Sequence, residues 1–420
     1  MKNKFMSQVL ALAIVMTTSS SYVISANIKI AYTLNEGGNY DIYVLTLDEN
    51  LNIIERIRLT DWSSYEHFPC WSLDGKKIAF CSSFEGGDEV WIMDADGNNK
   101  IKITNTNLNA CPLVWSLHED YVYGLNSRAG DGEVAEFELF SGNIKMLTNV
   151  QNYNTQRFDL NSDQTTVTFV RGIEGNGWTN ELFIADFTSD GTDFYNVVKL
   201  QDDIPAPHTP KFSPDDSRIT FTIMARPQPN EAIGIINVDG TGFWIPVPKE
   251  INIVNHSPEW IDNNRIIFSR GLWGSEDLYV LDLRDMSIIQ ITNEFGQVFQ
   301  AAVLQPIEVS IDIKPSSDPN SLNLGSNGNI PVAIFSTSNF DATTVDPLTV
   351  TLAGASLKLK GKGIPMSSFE DVNGDSLLDI VVHVDTTALE LSEGDTEALL
   401  EGQTYDGMPI KGKDTVRIIY

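Results

Sequence analysis

The chain has 420 residues, 42% of them apolar and 10% aromatic, with 28 Lys+Arg against 57 Asp+Glu and a formal net charge of −29. It is therefore no disordered polymer, and it is long enough for two or three domains or for one large repeat array plus a module. An acidic surface repels nucleic acid and anionic membrane and excludes both as partners; metal cations, basic ligands, neutral glycans and proteins stay open.

Met1-Lys2-Asn3-Lys4 precedes the apolar run Val9 to Met16, and Ile24-Ser25-Ala26 ends in a small residue. That is the layout of a secretory signal, so residues 1–26 are expected to be removed and the rest exported, to the periplasm or beyond the cell. No later apolar stretch is long enough to cross a bilayer, and no integral membrane segment is expected in the mature chain.

The next stretch is a repeat. Phe68 to Phe80 (Phe-Pro-Cys-Trp-Ser-Leu-Asp-Gly-Lys-Lys-Ile-Ala-Phe) spells strand, tight Asp-Gly turn and strand, followed by Val90-Trp91-Ile92 and a second turn at Asp94-Ala95-Asp96-Gly97. Strand ends like Trp71-Ser72 recur at Trp115-Ser116, Leu160-Asn161, Phe212-Ser213, Trp260-Ile261 and Leu304-Gln305. Short alternating strands at a period in the mid-forties predict four-stranded blades repeated around an axis. The chain opens on a second strand, Ile28 to Tyr32, and the matching first strand comes last, Gln300 to Leu304. One blade shared by both ends closes a ring without exposed edges, giving six blades over residues 27–305.

The motif at Pro69 to Phe80, and again at Pro210-Lys211-Phe212-Ser213-Pro214-Asp215-Asp216, resembles the TolB-type propeller repeat. The resemblance covers residues 28–305 and implies fold far more than function. The small α/β domain that precedes the propeller in TolB is not expected here.

From Pro306 to Tyr420 the strands alternate without a helical period, predicting a β-sandwich that resembles a module appended to secreted bacterial proteins. The fold class expected for the whole is all-β. Within the module, Asp371-Val372-Asn373-Gly374-Asp375-Ser376-Leu377-Leu378-Asp379 sets oxygen ligands at alternate positions. Asp371, Asn373, Asp375 and Asp379 through side chains, and Leu377 through its carbonyl, would hold a structural Ca²⁺, which takes six to eight hard oxygens. The bland reading is an Asn-Gly-Asp turn without an ion.

Nothing matches a Gly-x-Ser-x-Gly elbow, a His-Glu-x-x-His helix, a phosphate loop or a Cys-x-x-Cys pair, so no catalytic residue is assigned. Five residues before Ser72 lies His67, and the equivalent positions hold Cys111, Gln156, His208, His256 and Gln300. These six are expected at the channel mouth, where imidazole, thiolate and amide would bind a transition metal or another ligand. Histidines also form the metal site of oligogalacturonate lyases, propellers of similar repeat type. Parity offers the opposite reading: His67 is an even step from Pro69 and Trp71 and would face the neighbouring blade with them. Trp178 and Trp273, in glycine-rich loops, are either stacking platforms or loop anchors. Cys70 and Cys81 flank one turn and would be either cross-strand partners or buried thiols.

The function expected is that of an exported binding or scaffold protein with a protein or polysaccharide partner. The alternative is a metal-dependent polysaccharide lyase or hydrolase at the histidine ring.

Overall fold

The structure, a computed structural model, describes residues 27–419 except 106–108, 129–130, 149–152, 174–179, 188–193, 203, 225–229, 295 and 338–339. The signal segment 1–26 and Trp178 therefore lie outside the described residues. Those described form β-strands and three 3-10 turns, with no α-helix among them.

Residues 28–303 build six four-stranded antiparallel sheets. The first joins Ile28–Glu36, Asn39–Leu47 and Ile53–Arg58 to Gln297–Val303 from the far end of this region. The second runs Glu66–Trp71, Lys77–Ser82, Glu89–Asp94, Ile101–Lys102. The remaining four repeat that order, starting from the strands Ala110–Trp115, Tyr153–Leu160, Pro207–Phe212 and Val254–Asp262. Alternation along each strand sends large apolar side chains into both neighbouring sheets. Successive sheets share apolar clusters: Trp71 and Phe80 with Ala31 and Ile42, then Trp115 and Phe137 with Ala79. Tyr123 packs with Phe158, Phe212 with Val170, and Trp260 with Ile235. The circuit closes because Ile267 and Val280 of the last sheet share a cluster with Tyr32 and Leu45 of the first.

Indole groups add directional links between the sheets. Trp71 Nε1 donates to the Ala302 carbonyl (3.1 Å), Trp115 Nε1 to Cys70 (3.0 Å) and Trp260 Nε1 to Lys211 (3.1 Å). These contacts correct one alignment. Ala302 is the counterpart of Cys70 and Lys211, and Val303 lies opposite Ile30 as Trp71 lies opposite Ile78. The last repeat is therefore one residue earlier than expected, and Phe299, not Gln300, corresponds to His67.

After residue 306 the chain forms a five-stranded sheet that includes Val345–Leu352, Glu397–Thr404 and Pro409–Thr415. A four-stranded sheet includes Asn329–Ile334 and Asp379–Asp385. One core, with Val332, Ile380 and Val382 from one sheet and Val350, Leu352 and Leu400 from the other, joins the two. This region meets the ring at the Asp74-Gly75 turn, where Met408 and Leu304 share a cluster with Trp71. A Cβ on Gly75 would stand 2.5 Å from Met408 Sδ, and its φ of +65° also favours glycine.

Candidate functional site

Every innermost strand carries a bulge. Register slips between His67 and Cys70, Pro112 and Val114, Thr155 and Arg157, His208 and Lys211, and His256 and Glu259, and opposite Ala31–Thr33 in the shared sheet. Phe68, Thr209, Ser257 and Gln300 sit there with φ between 48° and 56°, a left-handed conformation that non-glycine residues adopt only when their surroundings hold them. A bulge re-aims side chains. The result is a cavity open to solvent, to which all six sheets contribute; Phe68, Leu113, Arg157, Thr209, Ser257 and Gln300 line it.

Of the six residues expected at the mouth, Gln300 lines this cavity, whereas His67, Cys111, His208 and His256 do not; the Gln156 side chain lies outside the described residues. The bulge is the reason. It turns the residue after each histidine, Phe68, Thr209 and Ser257, toward the cavity.

The cavity wall is polar in parts. Gln300 Oε1 accepts the Phe68 amide at 3.0 Å, and the Arg157 guanidinium lies 4.4 Å from the centre of the Phe68 ring. Burial draws the Arg157 pKa down to about 10, which still leaves it charged at neutral pH. Farther along the same strands, Lys211 Nζ lies 3.4 Å from Asp159 and 3.1 Å from Glu259. Burial alone would lower Lys211, but the two carboxylates outweigh it and raise its pKa; burial raises both carboxylates in spite of Lys211. His208 and His256 stay neutral. Burial, then the Arg157 charge, pushes His208 down to about 3, and burial pushes His256 down to about 4.

His67 and Cys111 meet elsewhere, in the seam between the second and third sheets, with two residues that sequence reasoning did not connect to them. Cys81 stands opposite His67 in the ladder, and Asp88 just precedes the next strand. One donor atom from each of His67, Cys81, Asp88 and Cys111 lies within 4.8 Å of the others. Cys81 and Cys111 are joined as a disulfide, with Cα atoms 4.9 Å apart. Cys70 and Cys81 are therefore not cross-strand partners, one of the two readings of their spacing. The hairpin pairs Trp71 with Ile78 and Cys70 with Ala79, so Cys81 falls beyond the bulge, and Cys70 is a buried thiol pushed up to about 12 by burial. The signal that could have found the cluster is the cross-strand pairing of His67 with Cys81, hidden from linear spacing by the bulge.

Half-buried and exposed aromatics also lie near the ends of these strands. Tyr40 packs edge-on against Tyr65 (5.0 Å) and Phe299 (5.5 Å), and Trp273, at the tip of the hairpin joining Arg265–Leu272 to Ser275–Asp282, is 59% exposed. In the C-terminal region, Asp371 accepts the amides of Gly374 (2.7 Å), Asp375 (3.1 Å) and Ser376 (3.0 Å), and Asp375 accepts that of Leu377 (2.8 Å). Asp379 is fully buried and accepts the Ser336 and Val372 amides, so it ties the loop to the core. The loop thus curls around the carboxylates of Asp371 and Asp375, with the Asn373 amide 3.0 Å from Asp375.

A protein TolB homolog of Protochlamydia amoebophila (strain UWE25) is 34% identical over 71 residues, which are 16% of this chain and 15% of that relative. TolB from Acinetobacter baumannii superposes with a TM-score of 0.53 at 16% identity, covering 67% of each chain. The fold is that of a TolB-type propeller. A chain of a nidogen/laminin complex gives 0.50 at 10% identity, over 66% of this chain and 98% of its own length, and at that identity shares fold alone. No protein-family model matches the TolB-like chain. Among its described residues, no helix is long and apolar enough to cross a membrane.

Proposed function

We propose that this is an exported binding or scaffold protein, periplasmic or secreted, in which residues 27–305 form one closed six-bladed propeller and residues 306–420 a β-sandwich. The partner is a protein or a glycan, received at the mouth of the central channel. A calcium ion on Asp371, Asn373, Asp375, Asp379 and the Leu377 carbonyl braces the sandwich; the inward curl of that loop supports this reading.

The observation that carries the binding function is the cavity to which all six sheets contribute. An apolar concavity with a few convergent polar groups is the usual form of a ligand site. Here Phe68 and the exposed Trp273 offer faces for stacking, and Arg157 offers a planar cation to a carboxylate or carbonyl. The C-terminal region packs at the Asp74-Gly75 turn, which follows the Trp71 end of the innermost strand.

A glycan array and a pull-down from periplasmic extract, each run with wild type and with an Arg157→Gln/Trp273→Ala variant, test the reading. A partner held by wild type and lost by the variant supports it. Equal retention by a variant of unchanged Tm places binding elsewhere and overturns it.

A further inference from the structure

We infer that the cluster of His67, Cys81, Asp88 and Cys111 is a redox-gated zinc site: a disulfide when oxidised, and a tetrahedral Cys₂-His-Asp centre for Zn²⁺ when reduced. It lies in the seam between two sheets and is independent of the channel-mouth ligand proposed above.

A disulfide needs two cysteines and nothing more. Around this one stand an imidazole and a carboxylate, with His67 Nε2 3.6 Å from Asp88 Oδ2 and all four donor atoms within 4.8 Å of one another. Donors around tetrahedral zinc, at about 2.0–2.3 Å from the metal, stand roughly 3.3–3.8 Å apart. Small side-chain rotations reach that arrangement once the sulfur–sulfur bond is open. The backbone already fixes the four positions. His67 and Cys81 are ladder partners, and the Asp88 carbonyl accepts the Ala110 amide at 2.9 Å, which sets the entry of the strand bearing Cys111. Cys81 is buried, while the His67 and Asp88 side chains are 18% and 31% exposed, so an ion has a path inward. Two thiolates, one imidazole and one carboxylate form a set that suits zinc and disfavours calcium or magnesium.

The chemistry balances. A dithiol reductant supplies two electrons and two protons, opening the disulfide to two thiols while becoming a disulfide itself. Zn²⁺ then displaces both thiol protons as it binds. Either state fastens the second sheet to the third, so the seam stays closed whichever one is present.

The test uses the full chain, reduced with a phosphine, freed of excess reagent under anaerobic conditions and titrated with Co²⁺ alone. One equivalent is expected to bind, with thiolate-to-cobalt charge transfer and strong tetrahedral visible bands that Zn²⁺ abolishes; the oxidised chain should give neither. His67→Ala and Asp88→Ala leave the cysteines in place. Each should weaken cobalt binding at least as much as the roughly 10–100-fold typical of losing a mere supporting residue. No charge-transfer band in the reduced chain overturns the inference, as does unchanged affinity in both variants. If the reduced chain unfolds without metal, refolding it in zinc and measuring zinc per chain decides the same point, and substoichiometric zinc counts against the site.

Discussion

Trp260 donates its indole N–H to the Lys211 carbonyl, 3.1 Å away in the preceding sheet, although Trp260 itself is fully buried. The bond is a latch between sheets, and the same latch recurs from Trp115 to Cys70 and from Trp71 to Ala302. Trp260→Phe keeps an aromatic ring but leaves that carbonyl without its donor. Removing a buried partner costs about 1–3 kcal/mol. Urea unfolding should show that loss, whereas Trp273→Phe, at an exposed tip, should stay within about 0.5 kcal/mol of wild type.

Lys211 stands between two carboxylates and compensates both. Lys211→Met is expected to destabilise by roughly 3 kcal/mol, because Asp159 and Glu259 would be left as neighbouring buried anions. The loss should shrink on acidification, as the orphaned carboxylates take up protons. Denaturation midpoints at several pH values check both points.

Two groups of opposite sign govern pH dependence. His208 and His256 fall from an ordinary 6.5 to about 3 and about 4, so below pH 6.5 the unfolded chain binds protons that the folded chain refuses, and stability is lost as pH falls. Glu231 rises from 4.5 to about 7 through burial and the nearby Glu276 charge, so the unfolded chain releases its proton first and stability is lost as pH rises through that window. Where the windows overlap, the slopes oppose. Glu231→Gln should remove the loss between pH 4.5 and about 7, on the order of 2 kcal/mol, and expose the histidine slope. His208→Asn should do the reverse: with His256 alone left against Glu231, the two slopes nearly cancel and the profile flattens between pH 4.5 and 6.5. Parallel profiles for both variants would contradict the assignment.

Calcium should be visible as stability. Asp375→Ala is expected to lower Tm in calcium and to match wild type in chelator. Equal Tm differences under the two conditions would leave the loop an ion-free turn.

The sheets were legible because Ile78-Ala79-Phe80 and its counterparts repeat a period that only stacked four-stranded units satisfy, and the TolB-like motif at Pro69 to Phe80 named the fold. The site was legible only up to its bulges. A linear alignment locates His67, Cys111, His208 and His256 in the repeat but has no means of knowing that one extra residue per strand turns Phe68, Thr209 and Ser257 inward instead. Buried Thr–carboxylate clamps escaped notice for a similar reason. Thr60 with Asp41 (3.1 Å) and Thr292 with Asp277 (2.9 Å) bind an outer strand to its neighbour across a loop of variable length.

The sheet shared by both ends of the ring has a consequence for biosynthesis. Ile28–Glu36 precedes every other strand of the ring in the chain, yet one of its two strand partners, Gln297–Val303, is made only after the other five sheets. Until then the nascent ring is an arc with an unpaired edge at its oldest end, the geometry that invites pairing with another chain. Truncation before Gln297 would leave that edge permanently open. The expected product is aggregate, not a smaller folded arc, and chaperone dependence should end once the last strand of the ring has been made.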